Sequence, residues 1–137
     1  MDIKQFAQLL QSDLLSEFTA ISHYITYAAT LRGLDRSQLK EMFEEEASDE
    51  LGHAQFFADK IATMGFIPQI AAKPATMASS PVQMIQILLS LEEQTVINYS
   101  TRADQAIALG LHGLSVDIEN ILATELGHRD ELKMMLE

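Results

Sequence analysis

Two stretches, Glu17-Phe18-Thr19-Ala20-Ile21-Ser22-His23-Tyr24 and Glu92-Glu93-Gln94-Thr95-Val96-Ile97-Asn98-Tyr99, each run from a glutamate to a tyrosine seven residues on. Thirty-three residues after each opening glutamate comes the same tetrapeptide, Glu50-Leu51-Gly52-His53 in the first half and Glu125-Leu126-Gly127-His128 in the second. The chain thus carries the order Glu, Tyr, Glu-x-x-His twice. Glu-x-x-His puts a carboxylate and an imidazole about one turn apart on one helix face. One such pair arises easily by chance. Two, at matched distances from a second glutamate, form the donor set of a carboxylate-bridged two-metal site in a helix bundle.

Working outward, the periodicity predicts four helices. Ile3, Phe6, Leu10, Leu14, Glu17, Ile21, Tyr24, Ala28 and Leu31 recur at three- and four-residue steps, and Gly33 follows, so the first helix is expected over 3–32. Asp35 and Gln38 are a candidate capping pair for a second helix running to Met64, closed by Gly65 and Pro68. Residues 66–79 hold two prolines and little period, and read as a crossover. Ser80-Pro81-Val82-Gln83 is a strong start signal for a third helix, expected to reach Leu109. Gly110 and Gly113 bracket a turn before the fourth, over 114–135. Short, long and short connections imply two antiparallel hairpins joined by one long crossover, with the third helix parallel to the second.

Composition limits the alternatives. The chain has 137 residues, 47% of them hydrophobic, which suits one domain with a real core. It has no cysteine, which excludes disulfides and thiolate-held zinc or iron–sulfur clusters. A net charge of −11 argues against nucleic acid and is compatible with attracting cations. No run is apolar enough for a membrane span or a signal peptide, so a cytoplasmic location is expected.

The glutamates occupy positions that should be core. Glu92 falls within the stripe Val82, Ile85, Leu88, Leu89, Val96, Tyr99, Ala103 and Ala106, whereas Glu93 points about 100° away. Glu17 lies between Leu14 and Ile21, and Glu125 between Ile121 and Leu132. Buried carboxylates at matched depths would repel one another unless cations sat between them. Oxygen and imidazole donors suit iron, and also manganese and zinc. Tyr24 and Tyr99 are each two turns beyond a glutamate of their own helix. Their phenols are expected to reach the glutamate of the partner helix and fix its orientation. Glu46, one turn before Glu50, is a candidate accessory ligand. Gly52 and Gly127 suggest close packing, while His23 and His112 read as surface or loop residues. Exposed apolar residues such as Phe56, Ile67 and Ile70 are candidates for subunit contacts.

With these residues in place, the chain resembles the ferritin superfamily over residues 3–136, and its ligand pattern is similar to the bacterioferritin di-iron site. The resemblance implies a ferritin-like, all-α, antiparallel four-helix bundle. It makes Glu50 and Glu125 the bridging ligands. Glu17 with His53 would complete one metal, and Glu92 with His128 the other, with Tyr24 beside them. The implied activity is ferroxidase, oxidation of Fe(II) to Fe(III) by dioxygen or hydrogen peroxide, with iron storage or detoxification in a cage. Bacterioferritin's haem-ligating methionine would fall on Leu51, so no haem is expected. Only nine residues follow His128, which leaves no room for the fifth helix of the larger cages. A Dps-like homo-oligomer of twelve is therefore expected ahead of twenty-four or a dimer. Alternatives are a manganese catalase or another di-metal peroxidase or oxidase, and a non-enzymatic structural bundle.

Overall fold

The computed structural model describes residues 1–137. It contains four helices and no strand: α1 (Ile3–Thr30), α2 (Arg36–Thr63), α3 (Pro81–Ala108) and α4 (His112–Met135). At 28 residues each, the first three are about 42 Å long at 1.5 Å per residue. No helix is long and apolar enough to cross a membrane.

The helix ends follow from local chemistry, with some departures from expectation. α1 begins with a capping box in which Asp2 accepts from the Gln5 N–H and Gln5 accepts from the Asp2 N–H. It stops two residues earlier than its period suggests. The Asp35–Gln38 cap does not form, since Asp35 makes no capping hydrogen bond. Arg36 instead reaches back to the carbonyls of Leu31 at 2.7 Å and of Ala28 and Ala29 at 3.3 Å. Those carbonyls lack helical partners, and a cation is favoured at a helix C-terminus. α2 and α3 end on Gly65 and Gly110, at φ +92° and +77°, each followed by a return bond, Phe66 N–H to Ile61 O and Leu111 N–H to Ala106 O. Glycine reaches this region without steric cost. Gly110 alone makes the second turn, so α4 starts at His112, and Gly113 lies inside it. His112 is exposed.

The long connection between α2 and α3 is stitched along α1. Gln69 exchanges two hydrogen bonds with Gln11. The Lys73 N–H donates to Thr19 Oγ1, the Thr76 N–H donates to His23 Nε2, and the Tyr27 hydroxyl donates to the Thr76 carbonyl. Later crossover residues meet later α1 residues, so the crossover runs parallel to α1 and delivers α3 at its far end. His23 therefore departs from its expected surface role. It is 3% exposed, with Nδ1 donating to the Thr19 carbonyl and Nε2 accepting from the crossover. Only the neutral imidazole with its hydrogen on Nδ1 satisfies both partners.

The core has two apolar blocks with a polar layer between them. Phe6, Leu10, Leu14, Phe57, Ile61 and Ile118 belong to one block. Tyr27, Leu31, Phe43, Ile85, Leu88 and Leu132 belong to the other. Glu17, Glu50, Glu92 and Glu125 fall where each helix passes from one block to the other. Phe56 packs partly buried against the first block, whereas Ile67 and Ile70 are exposed. Val82, placed on the buried stripe by its period, is exposed, and Met84 is buried in that turn of α3. No atoms approach Gly52 or Gly127 closely, so the expected tight packing is absent; both glycines face outward.

A buried ion pair joins α1 to α3 beside this layer. Arg102 grips both carboxylate oxygens of Asp13, at 2.6 and 3.0 Å, with Asp13 1% and Arg102 6% exposed. Burial pushes the Asp13 carboxyl up to about 6, against the pull of Arg102. It is therefore ionised at neutral pH. Removing one partner strands the other charge, so Arg102→Met should lower stability by about 3–5 kcal/mol, and Asp13→Leu/Arg102→Met should recover most of it. Urea denaturation measures both. A single variant within about 0.5 kcal/mol of wild type would show that the pair is solvated and dispensable.

Candidate metal centre

Each helix contributes to the polar layer at one level. Glu17 comes from α1, Glu50 and His53 from α2, Glu92 from α3, and Glu125 and His128 from α4. Glu17, Glu50, Glu92 and Glu125 are all at most 2% exposed. The hydrogen bonds give the register. Tyr24 meets Glu92 and Tyr99 meets Glu17, so α1 and α3 are antiparallel. His53 meets Glu125 while His128 meets Asp49, so α2 and α4 are antiparallel too.

The six residues form two overlapping quartets. One is Glu17, Glu50, His53 and Glu125, and the other is Glu50, Glu92, Glu125 and His128. Within each, one donor atom per residue lies within 4.8 Å of the others. Glu50 and Glu125 belong to both. Both imidazoles present Nδ1 inward: His53 Nδ1 is 2.8 Å from Glu125 Oε1, and His128 Nδ1 is 3.3 Å from Glu50 Oε1.

Tyr24 and Tyr99 complete a reciprocal arrangement. The Tyr24 hydroxyl donates to Glu92 Oε1 at 2.7 Å, and the Tyr99 hydroxyl donates to Glu17 Oε1. Each phenol thus occupies one oxygen and leaves Oε2 of the same carboxylate without a partner. Burial pushes both phenols well above their ordinary range, with the nearby glutamates adding to the effect. Both therefore remain hydrogen-bond donors.

Glu46 also reaches the site. It lies with Asp49 against the outer nitrogen of His128, and Asp49 Oδ2 is 3.1 Å from Nε2. Sequence reasoning missed Asp49, whose relevance depends on how α4 docks against α2. The repeat gave no help, because the residues 75 positions on from Glu46 and Asp49 are Ile121 and Thr124. The two halves are therefore equivalent at the inner donors and different behind the imidazoles. Asp13 and Arg102 were missed for a similar reason. Asp13 sits one turn before Glu17 and Arg102 three residues after Tyr99, but neither has a counterpart in the repeat.

The electrostatics are strained. Burial pushes the Glu50 and Glu92 carboxyls well above the usual range. Burial acts in the same direction on Glu125, but hydrogen bonds with Glu92, His128, His53 and Glu50 outweigh it and hold that carboxyl low. Burial disfavours the charged form of His53, yet Glu125 and Glu17 raise it to about 9. His128 is raised further, against burial, by Glu125, Glu46, Glu50 and Glu92. Oε2 of Glu17, Glu46, Glu92 and Glu125, Oε1 of Glu50 and Nδ1 of His128 are buried without a well-aligned hydrogen bond. Leaving so many desolvated polar atoms unpartnered is costly. Divalent cations are the partners that suit this set, because they accept lone pairs from both carboxylates and neutral imidazoles.

Comparison with known proteins agrees with this geometry. A model of the ferritin-like domain matches residues 7–137. A ferritin-like, diiron-carboxylate protein from Bacillus anthracis is 35% identical over 100% of both chains, with a TM-score of 0.95. Dps from Thermosynechococcus elongatus is 20% identical over 98% of this chain and 91% of its own, at TM-score 0.92. Bacterioferritin from Rhodobacter capsulatus, whose structure has a metal-free dinuclear site and a haem iron, is 23% identical over 98% of this chain and 85% of its own, at 0.85. These last two likenesses concern the fold alone. No curated protein matches the chain. Four helices with one long crossover, a buried di-metal carboxylate and histidine cluster, and a family match over nearly the whole chain agree: the protein belongs to the ferritin-like family.

Proposed function

We propose that this protein is a ferroxidase that oxidises Fe(II) at an intrasubunit two-iron site and retains the ferric product in a closed homo-oligomer. The observation that carries the reading is that Glu50 and Glu125 belong to both donor quartets. Two carboxylates shared between two sets of four are the arrangement in which two ions share bridges. Glu17 and His53 would complete one position, and Glu92 and His128 the other. The B. anthracis relative is a diiron-carboxylate protein, and this likeness favours iron. Manganese and zinc also suit the donors, and elemental analysis after native purification separates them.

The chain's own residues account for the chemistry. The Tyr24 and Tyr99 hydroxyls fix Glu92 and Glu17 through Oε1, which orients each Oε2 as a donor. His128 is held from behind by Asp49, which keeps Nδ1 directed inward. Two Fe(II) ions as substrate supply two electrons. With two protons these convert one dioxygen to hydrogen peroxide, or one peroxide to two waters. The carboxylate-rich site stabilises the higher charge of the Fe(III) product. The net charge of −11 draws cations toward the protein.

Anaerobic protein mixed with Fe(II) and then air should form ferric absorbance well ahead of buffer. Glu50→Ala and Glu125→Ala should each slow this by about a hundredfold or more, because each removes a donor from both positions. Wild type should retain iron well beyond two ions per chain and scatter light near 182 kDa, the mass of twelve 15.2 kDa chains. Acceleration without retention, in a species of about two chains, would reduce the reading to a small di-metal oxidase.

Proton release gives a second test. Protons held on the raised Glu50 and Glu92 carboxyls and on His53, near 9, must leave before these groups bind a metal. Zn(II) binding should therefore release protons at pH 7. Its apparent affinity should rise with pH and still be rising at about 9, where His53 loses its proton, because His128 holds its own proton more tightly. Calorimetry in buffers of different ionisation enthalpy measures both. Binding with no proton release would place the zinc outside this cluster.

A further inference from the structure

A cavity of about 310 Å³ lies between α1, α3 and the crossover, on the face of the bundle away from α2 and α4. Ser16 and Thr19 of α1 and Gln94 and Asn98 of α3 line it, Lys73 of the crossover stands at its rim, and Glu92 forms part of its wall. Glu92 is 2% exposed, and its Oε2 has no partner. The cavity therefore ends one side chain from the cluster. The crossover fixes its shape, because the Lys73 N–H donates to Thr19 Oγ1 and the Thr76 N–H donates to His23 Nε2.

Its chemistry differs from that of the α2 face. The walls offer hydroxyls and amides, and both ring nitrogens of His23 are already engaged by backbone groups. The charged side chains lining it are the rim Lys73 and the buried Glu92. A cation meets an ammonium before it meets a carboxylate here. The exposed surface of α2 presents three carboxylates, Glu41, Glu44 and Glu45, against one ammonium, Lys40, which is paired with Glu44, and Glu46 and Asp49 lie behind His128. Cations are steered to the acidic side. Hydroxyl and amide groups, by contrast, both donate to and accept from a small neutral molecule that itself does both. Hydrogen peroxide is such a molecule.

We infer that the cavity between α1, α3 and the crossover is the route by which hydrogen peroxide reaches the cluster, and that Fe(II) does not enter through it. This rests on the ferroxidase reading above. The step it serves is two Fe(II) plus one hydrogen peroxide plus two protons giving two Fe(III) and two waters. The peroxide O–O bond breaks, and each oxygen leaves as water.

The test fills the cavity from either wall, with Asn98→Leu and Ser16→Leu, and reverses its rim with Lys73→Glu. Anaerobic protein is loaded with two Fe(II) per chain and mixed with hydrogen peroxide. Separately, Co(II) loading is followed by its visible absorbance, which reports cation access without turnover. Asn98→Leu and Ser16→Leu should each slow the peroxide reaction about tenfold or more and leave the Co(II) loading rate within about twofold of wild type. Lys73→Glu should not accelerate Co(II) loading. Unchanged peroxide rates in both filled variants would overturn the route. So would Co(II) loading that slows in step with oxidation, or that quickens in Lys73→Glu, since the cavity would then be the cation path. Failure of one filled variant to fold, seen by circular dichroism, leaves the other to decide. Wild type that oxidises Fe(II) no faster than buffer would instead remove the ferroxidase reading, and this inference with it.

Discussion

Four buried carboxylates at one level of a helix bundle repel one another, and much of the structure manages that repulsion. Each would cost several kcal/mol if left charged and alone in the core. Glu17, Glu50, Glu92 and Glu125 are nonetheless the most regularly placed residues in the chain, one per helix. Around them stand two imidazoles drawn toward their protonated forms, two phenols that donate without ionising, and carboxyls whose proton affinities have been driven apart. The apolar blocks above and below exclude water and hold the four helices at the spacing the layer requires. Protons and two divalent cations thus compete for the same lone pairs.

The layer also organises the fold. Polar rungs across α1 and α3, Tyr24 to Glu92, Tyr99 to Glu17 and Arg102 to Asp13, set the register of that pair. The crossover is a tailored strap, its backbone groups matched to Gln11, Thr19, His23 and Tyr27 along one edge of α1. That placement closes one side of the groove leading to Glu92, while α2 presents acidic residues on the other side. A bundle with near two-fold symmetry inside therefore carries two chemically different outer faces.

Much of this was legible in the sequence because it rests on periodicities. A 3.6-residue stripe reveals a helix, and a glutamate within the stripe stands out because apolar residues surround it. The stripe itself separated Glu92 from Glu93, the spacing of the repeat agreed, and the six residues picked out by the repeat converge. What stayed hidden depends on pairing between elements. Arg36 caps a helix it does not belong to, His23 is buried only because the crossover returns to it, and Asp49 matters only because α4 brings His128 there. Gly52 and Gly127 misled in the opposite direction, since a repeated glycine suggested close packing where the structure is open.

The central claim is that Glu50 and Glu125 are shared ligands of two ions. Crystals soaked in Mn(II) and measured by anomalous scattering test it most directly. The account predicts two peaks per chain, about 3.5–4 Å apart, both in contact with Glu50 and Glu125, one flanked by Glu17 and His53 and the other by Glu92 and His128. A single peak in the cluster, or peaks only among Glu41, Glu44 and Glu45 on the surface, would contradict it.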